Sequence, residues 1–401
     1  MGPILRLALF RLPDFRRLAA SILGNSVGMM GETVVLGWLT LELTNSPFLV
    51  GAAMGMRALP LFFVGVPAGA LADRFPRHRL LMVTGAGQAL TASTLGVLTL
   101  LGVVSLTHVL LLTLAAGTLR GLEHAARQGY THDVVGGAAL VPGMAVLGVA
   151  MRAGWLVGSL GVGAIIARYG SGAAYLAVAA GFLAGALPLL VASSGERPAP
   201  PAGSLWQGVV DFGAATRKDG TLLVLMLLTA GAEMLGFSHQ VLLPSLARDV
   251  LRAGPEGLGA LNAARSIGGI VGLAAASTQR GGGAFFVGVV VAFGASLIVL
   301  ALAPHVVGFA GVVAVLVVVN AMGALADLLA QSLLQLSAPA HLRGRAGGAW
   351  VVAIGLAPLG QLQIGALASL FGVSVAFGTS GLALVALAGA TALLFPRVRR
   401  L

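Results

Sequence analysis

The chain has 401 residues, 58% of them hydrophobic and 9% charged, with a mean hydropathy of +0.98 and a formal net charge of +11. Such an apolar share is foreign to a soluble globule, and the absence of cysteine excludes disulfides, thiolate metal sites and thiol catalysis. The positive balance does not point to nucleic acid, because the arginines lie mostly in short loops, where they orient a membrane chain. In the N-terminal stretch MGPILRLALFRLPDFRRL no apolar core precedes a small-residue cleavage site, so no removable signal is expected.

Apolar stretches of about 20 residues then recur along the whole chain, each long enough to cross a ~30 Å hydrocarbon layer. They lack the inside/outside alternation of barrel strands, and the 59 glycines suit close helix packing in lipid. Spans are predicted at about 18–43, 48–72, 80–104, 106–126, 138–167, 172–193, 220–247, 256–279, 283–304, 306–333, 346–371 and 373–395. The Pro-rich stretch 193–220 separates the first six from the last six. Trp206, Val209, Val210 and Phe212 within it form either a short interfacial helix or part of a plain linker.

The expected architecture is therefore an all-α membrane protein of 12 transmembrane helices in two pseudo-symmetric six-helix bundles, 1–193 and 220–401, joined by a linker over 194–219. With both termini in the cytoplasm, this layout puts 17 of the 24 Lys and Arg inside, three outside and four within spans. The halves also resemble each other. GAAMGMRALP from Gly51 and GALNAARSIG from Gly259 each place a Gly six positions before an intramembrane arginine, Arg57 or Arg265, and an offset of 204 pairs Glu123 with Asp327. Such repeats place a substrate near the bilayer midplane between the halves.

Ionisable side chains at depth cost roughly 2.5–3.5 kcal/mol on insertion scales, so each is a functional candidate. Glu32 and Arg57 lie at depths that differ by only ~3 Å and are expected to pair. Glu32 then serves either as a proton carrier or as half of a static structural pair. Glu233 and Arg265 form the corresponding pair in the second half. Arg120, Glu123 and His124 cluster in span 4, with Asp327 at the equivalent place in span 10. Arg152 either binds an anionic substrate group or pairs with Glu123. His239 and His305 stand alone, which disfavours metal ligation, and no cofactor or metal is expected.

The stretch GALADRFPRHR, from Gly69, resembles the signature of the major facilitator superfamily, with Pro76 in place of the usual Gly. GETVVLGWLTLELTNSPFLVGAAMGMRALP, from Gly31, is similar to the first two spans of the branch that includes enterobactin exporters, and APAHLRGRAGG, 338–348, resembles that branch's loop between spans 10 and 11. The resemblance implies a charge relay of Gly69, Asp73, Arg74, Arg77 and Arg79 that latches the cytoplasmic ends of spans 2, 4 and 11. It also implies that Arg120 occupies the place of an arginine used in proton-coupled transport. The antiporter pattern of span 5 appears as GWLVGSLGVG, with Ser159 in place of Pro and Val162 in place of Gly.

These features predict a secondary active transporter of the cytoplasmic membrane, not an enzyme: a proton-coupled exporter of a small amphipathic or hydrophobic molecule. The alternatives are an importer, an uncoupled facilitator, lysolipid flipping or a non-transporting scaffold. Proton coupling falls to Glu32, Arg57, Arg120 and Glu123, and the cavity candidates are Arg152, Glu233, Arg265 and Asp327. The expected partners are membrane lipid, a small-molecule substrate and protons, with no nucleic acid, and the expected state is a monomer. A phosphate-binding loop of the G-x-x-x-x-G-K-[ST] type is absent, which argues against direct use of ATP.

Overall fold

In a computed structural model, residues 9–192, 220–276, 282–337 and 355–399 are described, and among them every regular element is helical. Among the described residues, eight helices are long and apolar enough to cross a membrane. Side chains of 61–62, 64–74, 137–142 and 335 lie outside the description, as do the whole of the 194–219 linker and the 338–348 loop.

Helix α1 spans Pro13–Thr44. Proline is tolerated at its start because first-turn N–H groups lack intrahelical partners anyway, and Asp14 in that turn pairs with Arg17 at 2.8 Å. Helix α2 is Pro47–Arg74 and α3 is Arg77–Leu100. Pro76 separates them, since a proline disfavours helical geometry at the residue before it. Helix α4 begins with a capping box: the Ser105 hydroxyl accepts from the His108 N–H while the His108 ring accepts from the Ser105 N–H.

Helix α4 then runs from Leu106 to Ala186, 81 residues. At ~1.5 Å per residue a straight helix of that length would measure ~120 Å, about four bilayer cores. It turns back at Gly136 (φ 71°) and Gly170 (φ 81°), and a Cβ at either would meet nothing within 4 Å, so glycine is required there for its backbone freedom, not for space. The turn predicted between 126 and 138 is thus helical up to a single residue. No Pro or Gly before Gly136 in that interval, apart from Gly129, forces an earlier break.

Further along lie α5 (Gly220–Gly231), an irregular stretch over 232–250, α6 (Gly254–Ala276), α7 (Gly283–Val306), α8 (Gly308–Ser337), α9 (Ala357–Phe371) and α10 (Val373–Leu394). The irregular stretch alternates π turns (Ala232–Gly236, Leu246–Val250) with a 3-10 segment (Phe237–Leu242) and one α turn. Two residues account for it. Pro244 lacks an N–H and crowds the carbonyl four residues back, and a Cβ on Gly236 would stand 2.3 Å from the Phe293 ring, so Gly lets the chain press against α7 there.

The chain divides into two compact units, residues 1–43 with 59–202 and residues 44–58 with 203–401. In the first, α1 lies against two limbs of α4. A Cβ on Gly158 would stand 2.3 Å from the Val27 carbonyl oxygen, and one on Gly185 2.6 Å from the Asn25 nitrogen. Small residues one turn apart permit this approach where lipid supplies no hydrophobic drive between helices. Phe15, Leu18, Leu81, Tyr130 and Leu189 close one end of this unit as a buried cluster. In the second unit α7 packs on α8 and α10, and α8 on α6. The start of α2 is fastened to α9: the Phe48 N–H donates to the Ser369 hydroxyl at 3.0 Å, and a Cβ on Gly51 would meet the Gln361 carbonyl oxygen at 2.4 Å.

Candidate functional site

Polar side chains from α1, α3 and α4 meet inside the first unit. On α1, Asn25 and Glu32 are seven residues apart and share a face. On α4, Arg120, Glu123 and Arg127 do likewise. The two helices run antiparallel, so Glu32 meets Arg120 as an ion pair and Asn25 meets Glu123. Glu123 accepts from Asn25 Nδ2 at 2.9 Å and from Gln88 Nε2 at 3.1 Å, and it pairs with Arg127 one turn along its own helix. Glu32 and Glu123 are 6% and 5% exposed. Two carboxylates thus face two guanidiniums, a charge balance that a buried network needs. Ser26 Oγ, Gln88 Oε1 and Arg120 Nε remain buried with no hydrogen-bond partner, leaving the network room to rearrange.

At the end of the unit where α3 begins, Arg77 donates to Asp133 of α4 at 2.7 Å, with both side chains largely buried. Gly129, one turn before Asp133, leaves room for the Arg77 guanidinium, which a Cβ would touch at 2.5 Å. Arg79 is exposed. Gly69, Asp73 and Arg74 lie on the last turns of α2, and their side chains fall outside the described ones. At the opposite end, Glu42 accepts from the Trp38 indole N–H and the Ser171 hydroxyl, both at 2.6 Å, clasping α1 to the last limb of α4.

The second unit has its own polar centre, built on the irregular stretch. Arg265, in the middle of α6, donates to Asn262 Oδ1 at 2.7 Å and to Gln240 Oε1. His239 Nδ1 donates to the Gly236 carbonyl at 2.7 Å, so its Nε2 carries the lone pair, to which Asn320 Nδ2 points at 3.5 Å. Glu233, in the first π turn, lies within electrostatic reach of Asp327 on α8. Asp327 also accepts from Gln331 at 3.2 Å.

Several expected pairings resolve differently. Glu32 forms an ion pair with Arg120, a pairing not foreseen, and Arg57 is half-buried on α2. Glu233 forms no ion pair with Arg265 among the described residues; Gln240, seven residues further along the irregular stretch, accepts from the guanidinium instead. Arg152 stands over the Trp155 ring at 5.4 Å and does not pair with Glu123, whose oxygens are already filled. His124 bonds Gln128 at 2.9 Å, on an exposed face. Among the described residues, no group of three or more His, Cys, Asp or Glu is placed to hold a metal ion.

Asn25, Gln88, Gln240 and Asn262 went unread in the sequence. Neutral amides carry no charge signal, but Asn25 and Glu32 at i and i+7 were a findable stripe. Asp133 was missed because it lies within a predicted loop, 127–137, where an acid is unremarkable.

Helices of membrane length carrying buried ion pairs, in two compact units, define an integral membrane protein of the transporter class. The chain belongs to the transmembrane secretion effector family of the major facilitator superfamily, which it matches over residues 5–401. It is 28% identical over 388 residues to the multidrug efflux pump Tap of Mycolicibacterium fortuitum, covering 92% of this chain and 93% of that protein. It is 24% identical over 253 residues to the staphyloferrin A transporter of Staphylococcus aureus, and spans 62% of that protein's length. A crystal structure of a mutant of the nucleoside transporter NupG superposes with a TM-score of 0.80 at 14% identity, over 95% of this chain and 99% of that one. A crystal structure of the peptide transporter POT with sulfate gives 0.78 at 15% identity, over 96% and 95%. Both likenesses concern the fold.

Proposed function

We propose that the chain is a secondary active transporter that exports a small amphipathic or hydrophobic molecule across the cytoplasmic membrane by alternating access, driven by proton re-entry. In this reading it has twelve crossings, places both termini in the cytoplasm and works as a monomer. The family match and the similarity to an efflux pump support the class. The observation that carries the coupling is the buried Glu32–Arg120 pair beside the Glu123 network.

A carboxylate in a low-dielectric site holds a proton readily, and a nearby guanidinium strips it off. Parting Glu32 from Arg120 would therefore load a proton, and restoring the pair would release it. Glu32 is the carrier, Arg120 the group that discharges it, and Glu123 the fixed anion that keeps Arg120 and Arg127 in place. Arg57 supplies a further cation at similar depth. Gly69, Asp73, Arg74, Arg77 and Arg79, together with Asp133, form the latch at one end, with Arg77–Asp133 as its described part.

The test is transport in proteoliposomes with an imposed pH gradient, using ethidium and Hoechst 33342 as amphipathic probes and an enclosed pH dye. Uphill dye movement with counter-directed proton flux is expected from the wild type. Glu32→Gln should abolish uphill movement yet keep dye counterflow, since exchange needs no net proton transfer. Uphill movement that survives Glu32→Gln removes Glu32 from the coupling. Dye flux without proton flux would favour a facilitator.

A further inference from the structure

Arg265 is a cation in search of an anion. It stands at the centre of α6, about 16 Å from each end at ~1.5 Å per residue, where an isolated charge is costly. In the first unit each buried arginine of the network faces a carboxylate. Arg265 instead rests on two neutral amide oxygens, those of Asn262 and Gln240, and forms no ion pair with Glu233. Its Nε–H is buried without a partner. Asn262 is itself held by the Leu258 carbonyl at 3.0 Å, so the guanidinium is oriented from behind by fixed groups. What stays available is its Nε edge and a second Nη hydrogen, the planar fork that matches a carboxylate.

We infer that Arg265, braced by Asn262 and Gln240, is the docking point for a carboxylate group on the transported molecule, so that the cargo class is an amphipathic carboxylic acid in its anionic form. The inference rests on the transporter reading above and adds the cargo's charge. A monoanion cancels the single positive charge and completes the fork. A dianionic phosphate would leave a net negative charge at membrane depth, which is costly. The irregular backbone over 232–250 fits a ligand site, because non-helical backbone at membrane depth is tolerated where it is buried in protein or lines a water-filled cavity. It places Gln240 opposite α6, where a regular helix would have held a different register.

The experiment uses the full chain in nanodiscs, with empty nanodiscs as the partition control, and four probes on one ring system: 2-naphthoate, 2-naphthalenemethanol, 2-naphthylmethylammonium and 2-naphthyl phosphate. Titration calorimetry should show naphthoate binding ~10–100-fold tighter than the alcohol, the range for a hydrogen-bonded charged group. Gln240→Glu, nearly the same size, would give Arg265 an internal counter-ion, and naphthoate should then bind no better than the alcohol. Arg265→Lys should keep the order but weaken it, since an ammonium offers charge without the fork. Equal binding of acid and alcohol, a preference for the ammonium or the phosphate, no binding by any probe, or a naphthoate preference that survives Gln240→Glu would each overturn the inference. These readings need no gradient, so they fail or hold separately from proton-coupled flux.

Discussion

Glu123 ties three helices with one carboxylate: Asn25 comes from α1, Gln88 from α3 and Arg127 from its own helix. Glu123→Gln keeps the volume but leaves the Arg127 guanidinium without its counter-ion and sets an NH2 donor against one of the two amide donors, Asn25 or Gln88. Removing one partner of a buried pair costs on the order of 3–5 kcal/mol, so the thermal midpoint of the purified variant should fall by several degrees. An unchanged midpoint would mean that the network is solvated and not structural. At this scale the sequence revealed what is expensive. Glu32, Arg120, Glu123 and Arg265 stood out because charge at depth demands a reason, and the structure places each in a polar cluster. Their neutral partners stayed hidden, because an amide costs far less to bury and many pairings satisfy it. The Glu32–Arg120 contact spans 88 residues, which depth-matching between adjacent spans could not reach.

Among the elements, the seat of α1 on α4 depends on the absence of side chains. Gly158→Leu would drive a side chain into the Val27 backbone, where even a Cβ stands 2.3 Å from the carbonyl oxygen. Overpacking of this kind costs typically ~1–3 kcal/mol or more, and transport as well as stability should fall. Gly161, on the same limb, would bring a Cβ within 4 Å of nothing, so Gly161→Ala should be neutral or slightly stabilising in a helix. Equal effects of the two would show that α1 is not seated in this groove. The pattern GWLVGSLGVG was legible as glycine-rich, yet its role in the described unit is helix seating through Gly154 and Gly158. Span 7 reads as one continuous apolar run, so its π and 3-10 turns were not legible from hydropathy; Gly236 and Pro244 were the only local signals.

For the whole molecule, the arginine distribution predicts an orientation that the cysteine-free chain makes easy to check. Arg79, in the first turn of α3, and Val103, just past its end, are both exposed. In intact cells a membrane-impermeant maleimide should label Val103→Cys at once and Arg79→Cys only after permeabilisation. The reverse pattern would invert the topology and with it the direction of the proposed proton flow. Molecular-scale features were the most legible of all, because length and hydropathy alone dictate membrane-spanning helices, while the assignment of residues 44–58 to the second unit depends on close contacts around Gly51 that no periodicity announces.

The distance along the chain between Glu32 and Arg120 also governs biosynthesis. At ~5–20 residues per second, the ribosome needs ~4–18 s to deliver the arginine after the glutamate has left the tunnel. Throughout that interval the first helix sits in the bilayer without the Arg120 guanidinium and the Glu123 carboxylate that face Glu32 and Asn25 in the folded unit, and such an intermediate is expected to be a target for quality-control proteolysis. A nascent chain ended after Leu100 should therefore be short-lived in a pulse-chase, whereas one ended after Val191, which contains Arg120, Glu123 and both limbs that grip α1, should persist.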